Sequence, residues 1–194
     1  MVGEGEGGHP GAMPALSEFT LYHRAVRDVR GDSLLPLNAL RAAHPDVYTR
    51  EVAKYAGREE LAAERVFPLD CGWGDVLFFS PVHPGPLLNA VRESGREVPP
   101  LRFWTLRADE LNPAWACVKR VRPWPGGRYT PPIPEDYAPY DAPTLAQVSE
   151  PSATTLARLR NLPPQAPLVL WSDVPHVLYR GTVPLSALGE VRFS

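Results

Sequence analysis

Two histidines sit where strand-like runs meet polar chemistry, His23 within LYHRA and His176 within DVPHVLY. A neutral imidazole donates from one ring nitrogen and accepts at the other, so either residue can hold a ligand edge or a phosphate. With a pKa near neutrality it can also act as a general base. A satisfied core or surface histidine fits the same positions. His83, in SPVHP, lies between prolines that fix its loop, and Ser80 three residues earlier makes a small polar corner with it. Tyr22 adds a ring able to stack on a ligand while its hydroxyl finds water. His23, His83 and His176 show no short spacing that would force them onto one metal ion, and Cys71 and Cys117 fit no zinc-ligand spacing, so no metal is expected. Asp70 and Asp75 bracket CGWG and admit two readings, an acid/base pair or simple loop capping, while Trp73 between them either anchors the turn or lines a cleft.

The usual nucleotide motifs, G-x-G-x-x-G and G-x-x-x-x-G-K, are absent, as is the G-x-S-x-G nucleophile elbow. Formal charge is -2, from 20 Lys+Arg against 22 Asp+Glu, which gives no whole-molecule field for nucleic acid or an anionic membrane. Any anion site must therefore be local. The cations are almost all arginine, with Lys54 and Lys119 as the two lysines. Between Pro86 and Arg128 stand 8 basic and 4 acidic residues, whereas Tyr129 to Ala157 carries 4 acidic and none basic, so the two blocks can face each other. Arg92, Arg96, Arg102, Arg107, Lys119, Arg120, Arg122 and Arg128, beside Trp104, Trp124 and Tyr129, read either as a phosphate or nucleic-acid surface or as a solvated face.

These residues need elements to position them. Phe19 to Val29 opens with strand-like alternation and runs into an RGDS turn. A helical pattern starts at Leu37, and a second follows His44-Pro45 with Asp46 as its cap and Gly57 as an interruption. Arg58 to Arg65 continues in helix, ending before Pro68. DVLFF, Asp75 to Phe79, reads as a buried strand; an amphipathic helix follows with Pro86 in its first turn and a stop at Gly95. Further strands are predicted at Leu101 to Leu106 and Trp115 to Val121. The prolines from Pro123 to Pro143 favour an extended loop. A short helix at Ala153 to Leu162 then precedes strand-like pieces at Leu168 to Trp171, His176 to Tyr179 and Glu190 to Phe193.

Of 194 residues, 24 are Pro and 15 Gly, about a fifth together, which rules out a simple helical bundle. The hydrophobic share of 44% and charged share of 22% are globular values. The length suits one domain. We therefore expect a flexible tail over 1–16 and a single α+β domain over 17–194, with helices mainly in the N-terminal half and a split, mostly antiparallel sheet. No apolar run approaches the about 18 residues that cross a bilayer, no signal-like segment opens the chain, and a cytoplasmic location is expected.

Three stretches, LYHRA at Leu21 to Ala25, DVLFFSPVHPGPLLNAV at Asp75 to Val91 and DVPHVLYRGTVPLSALGEVRF at Asp173 to Phe193, resemble the ADP-ribosyltransferase-like family. They are most similar to its DNA-modifying toxin branch and more distantly to the RNA 2'-phosphotransferases. The resemblance implies that the YH strand offers His23 to the nicotinamide-side ribose of NAD, that Asp75 to Pro81 lies at the cleft, and that Arg24 or Arg102 meets the pyrophosphate. Tyr22, Ser80 and His83 would complete the nucleotide site, with a nucleic-acid base or a protein side chain as acceptor. The family commonly carries a glutamate where this chain has His176. A carboxylate there stabilises positive charge as the bond to nicotinamide breaks; a neutral histidine supplies neither that charge nor its two-oxygen geometry. Two other classes fit the same residues: a non-catalytic nucleotide-binding module, and an interaction protein whose proline-rich segment docks in a partner's aromatic groove.

Overall fold

The alternation of TLYHR and of LRFWTLR sends successive side chains to opposite faces, and both segments form strands. A computed structural model describes residues 13–26, 28–57, 59–122 and 130–193. In chain order, β1 (Thr20–Arg24) and β2 (Ser33–Leu34) precede α1 (Leu37–Ala43), α2 (Pro45–Val52) and α3 (Glu59–Ala62). Next come β3 (Arg65–Val66), β4 (Cys71–Gly72), β5 (Leu77–Phe79), α4 (Pro84–Glu93), β6 (Leu101–Arg107) and β7 (Ala116–Lys119). The chain continues through β8 (Tyr137–Pro139), α5 (Ala142–Val148), α6 (Ala153–Arg160), β9 (His176–Tyr179), β10 (Val183–Pro184) and β11 (Gly189–Phe193).

The fold is an α+β domain with a split, mostly antiparallel sheet core, as its sequence predicts. Of the two larger sheets, one has three strands in the order β1-β6-β11 and the other four in the order β5-β9-β7-β8, beside the two-stranded pairs β10-β2 and β3-β4. All pairings among the described residues are antiparallel. Leu21 and Leu106 from the first sheet meet Leu77, Phe79, Val118 and Val177 from the second in the main core, closed by Leu145 of α5. Leu101 and Phe103, on the other face of β6, pack on Leu87, Leu88 and Val91 of α4 and Leu159 of α6. The outer face of the four-stranded sheet carries a third cluster, in which Cys117, Tyr137 and Leu178 meet Val66, Leu69 and Val76. Burying one such Leu or Phe side chain contributes about 1.5–3 kcal/mol, so each sheet is held from both faces.

Several local expectations are corrected. His44, not Asp46, is the N-cap of α2, because Pro45 takes the first helical position. Asp46 lies in the first turn, where it suits the helix dipole and pairs with Arg30 at 2.7 Å. The helix after Gly57 stops at Ala62, since Arg65 and Val66 pair with Gly72 and Cys71. Within the proline-rich stretch, Tyr137–Pro139 is a strand rather than loop. It lies at the sheet's edge, opposite Lys119, Val118 and Cys117, where a proline lacking its N–H is tolerated. α5 follows at once, capped by Asp141 Oδ1 accepting from the Thr144 amide at 2.8 Å. Leu168 to Trp171 pairs with no strand: flanked by Pro167 and Pro175, it turns and packs Leu170 and Trp171 against the cluster of α4 and β6. The segment 123–129, with Trp124, Arg128 and Tyr129, lies outside the described residues, as do 1–12 of the expected tail.

Candidate functional site

The two sheets touch where β1 passes the end of β5. Tyr22 and Ser80 exchange backbone hydrogen bonds there, each 2.8 Å long, and form an isolated bridge. His23 reaches across this seam, its Nδ1 lying 2.6 Å from the carbonyl oxygen of Phe78. A carbonyl only accepts, so Nδ1 carries the hydrogen and donates. Burial pushes the His23 pKa down, the bond to Phe78 partly opposes this, and the Lys54 charge lowers it further. The ring is therefore neutral near pH 7, with Nε2 as a hydrogen-bond acceptor. Trp104 stacks beside it at 5.8 Å and 12°, and Phe79 lies tilted at 5.6 Å.

Phe78 also leads to the second histidine. Its ring meets His176 edge-on at 6.5 Å and Trp73 at 4.4 Å. His176 stands opposite Lys119 in the β7–β9 register. Burial and then the Lys119 charge push the His176 pKa down to about 4, against a hydrogen bond at the Val174 backbone. Lys119 pairs with the buried Glu64 and sits 4.6 Å over the Trp73 ring. Trp73 Nε1 donates to the Tyr55 hydroxyl at 3.3 Å. Trp73 is thus an anchor between the helical layer and the four-stranded sheet. His23 and His176 do not touch each other; Phe78 links them, by its carbonyl on one side and its ring on the other.

The remaining sequence-derived residues fall into separate places. Tyr22 packs edge-on against His83 at 5.1 Å, and His83 against Phe193 at 5.7 Å. The Ser80 hydroxyl accepts from the Val82 amide at 3.1 Å, and His83 Nδ1 accepts from the Gly85 amide at 3.0 Å as the N-cap of α4. Both polar groups therefore stabilise the turn that carries them. Arg24 lies at a small cavity beside Phe103 and Trp171, away from the two histidines. Arg102 pairs with Glu190 at 3.4 Å. Asp70 pairs with Arg65, whereas Asp75 accepts from the Gly72 amide at 2.9 Å and from Asn38 at 2.7 Å. They act as loop supports, not as a carboxylate pair. No group of three His, Cys, Asp or Glu among the described residues is arranged to hold a metal ion.

No family model, curated protein or solved structure matches the chain.

The basic block is largely neutralised locally. Arg107 lies 3.2 Å from both Asp109 and Glu110, and Arg122 lies 3.4 Å from Asp136, one point at which the basic and acidic blocks do meet. Arg96 donates to the Ala166 carbonyl at 2.7 Å. Sequence reasoning missed Phe78, whose backbone oxygen orients His23, and Glu64, whose partner is 55 residues away. One signal was present: the two lysines of an arginine-rich chain act on the two histidines, Lys54 on His23 and Lys119 on His176.

Proposed function

We propose that this protein binds NAD or a related nucleotide at the seam between its two sheets, as an ADP-ribosyltransferase-like module. The observation that carries the reading is His23, held across the seam as Nδ1 donates to the Phe78 carbonyl, so that Nε2 is the acceptor of a neutral ring flanked by Trp104 and Phe79. An acceptor so placed suits a ribose hydroxyl, and the flanking rings suit a planar base. NAD would supply an electrophilic ribose carbon; the chain's own contribution is to orient the sugar through His23. Tyr22 and the Ser80 to His83 turn hold the seam in shape, and the proline-bounded loop limits the entropy lost on binding.

The chemistry at His176 favours binding over transfer. Its ring is neutral at pH 7 and beside Lys119, so it offers no negative charge to a developing oxocarbenium ion. Calorimetric titration with NAD and with ADP-ribose is expected to show saturable binding that weakens about tenfold or more in His23→Ala, the size of one lost hydrogen bond in a dry site. Chromatography is expected to show no nicotinamide release above the uncatalysed rate. Absence of binding to both ligands, or equal binding by His23→Ala, overturns the reading. Enzymatic nicotinamide release would replace the binding module with a transferase acting on a nucleic-acid or protein acceptor.

A further inference from the structure

A second site lies on the other face of the three-stranded sheet. Alternation along β1 sends Arg24 away from His23, and Arg24 stands opposite Phe103 in the β1–β6 register. There it borders a cavity of about 130 Å³ whose other walls are Leu101, Phe103, Leu168, Val169, Leu170 and Trp171. Phe103 and Leu170 are buried, while Val169 is 51% exposed at the rim. Trp171 meets Phe103 edge-on at 5.6 Å, and Phe193 meets Phe103 edge-on at 5.7 Å. The lining contains no carboxylate, and the exposed Arg24 side chain makes no ion pair among the described residues.

We propose that this cavity binds an aryl carboxylate, one six-membered ring on a short arm ending in a carboxylate. Size sets the first half of that description, since an apolar cavity of about 150 Å³ accommodates benzene. The walls set its character: the edges of Phe103 and Trp171 and the branched side chains of Leu101, Leu168 and Leu170 match a ring. Arg24 sets the second half, because a guanidinium at the rim of an apolar cavity pairs a carboxylate through two parallel N–H donors.

The site is independent of the nucleotide reading and is tested separately. Ligand-observed NMR and calorimetry use phenylacetate as the probe and 2-phenylethanol as its uncharged counterpart. Phenylacetate is expected to bind saturably, about tenfold or more tighter than 2-phenylethanol, and Arg24→Gln is expected to remove that difference. Because Arg24 is exposed, this variant keeps the fold. Leu168→Trp, which fills the cavity, is expected to abolish binding of both probes. Equal affinity for phenylacetate in Arg24→Gln, or no saturable binding to the wild-type chain, overturns the proposal. NAD titration of the same samples separates the sites: phenylacetate binding without NAD binding removes the seam alone, and the reverse removes this cavity alone.

Discussion

His176 gives the sharpest prediction at the residue scale. Its folded pKa of about 4 lies below the ordinary histidine value of 6.5, so the unfolded chain takes up a proton that the folded chain refuses. Stability from this group is complete above pH 6.5 and falls as pH drops toward 4. Urea unfolding is expected to show a loss of about 2 kcal/mol between pH 7 and pH 5, and His176→Gln is expected to flatten that slope. His23 is displaced in the same direction by burial, so His23→Gln should remove a further part of the acid sensitivity. The two histidines were legible as candidates because imidazoles on strand patterns are uncommon chemistry. Their protonation was not legible, since it depends on Phe78, Lys54 and Lys119, which reach them only through the fold.

At the element scale, local signals placed most helices and strands well and failed where pairing overrode them. α4 begins with prolines in its first turn behind the His83 cap, and it ends before Gly95, whose φ of +80° suits glycine. Gly95→Ala is expected to cost about 1 kcal/mol by chemical denaturation, from strain at a left-handed position. α5 went unrecognised because a proline-rich run masks the Asp141 cap and the Pro143 at its start. Asp141→Ala removes the bond to Thr144 and is expected to cost about 1 kcal/mol. β8 was hidden for a related reason: a proline at a strand's end is compatible with pairing only at an edge, and edge position is a property of the sheet. Phe103, fully buried between α4 and the Trp171 turn, carries much more; Phe103→Ala is expected to cost about 3–5 kcal/mol.

Across the whole molecule, the helical layer is tied to the four-stranded sheet through Glu64, Lys119 and Trp73. The Glu64 side chain is 1% exposed and that of Lys119 is 23% exposed, so the pair is largely withdrawn from water. Lys119→Met takes the Lys119 cation away from a buried carboxylate and is expected to cost about 3–5 kcal/mol. Glu64→Leu/Lys119→Met is expected to recover much of that loss, because replacing both charges removes their desolvation penalty as well. A double-mutant cycle by urea unfolding reads the coupling directly. Loss of the same size in the double variant would show that packing around Trp73, and not charge pairing, holds the layers together.

The sequence by itself determined the α+β class and the single domain, because these follow from periodicity and length. It also singled out His23, His83 and His176. Only the tertiary structure decided how those residues group: the SPVHP turn uses its own Ser80 and His83 to hold itself together, while Phe78 links His23 to His176 across the seam. It also placed Arg24 on the face away from His23, beside a cavity of its own. The reason is strand geometry. Adjacent residues on a strand point to opposite sides, so which neighbour meets which ligand is settled by register and by where two sheets part, and both arise from contacts between residues far apart in the chain.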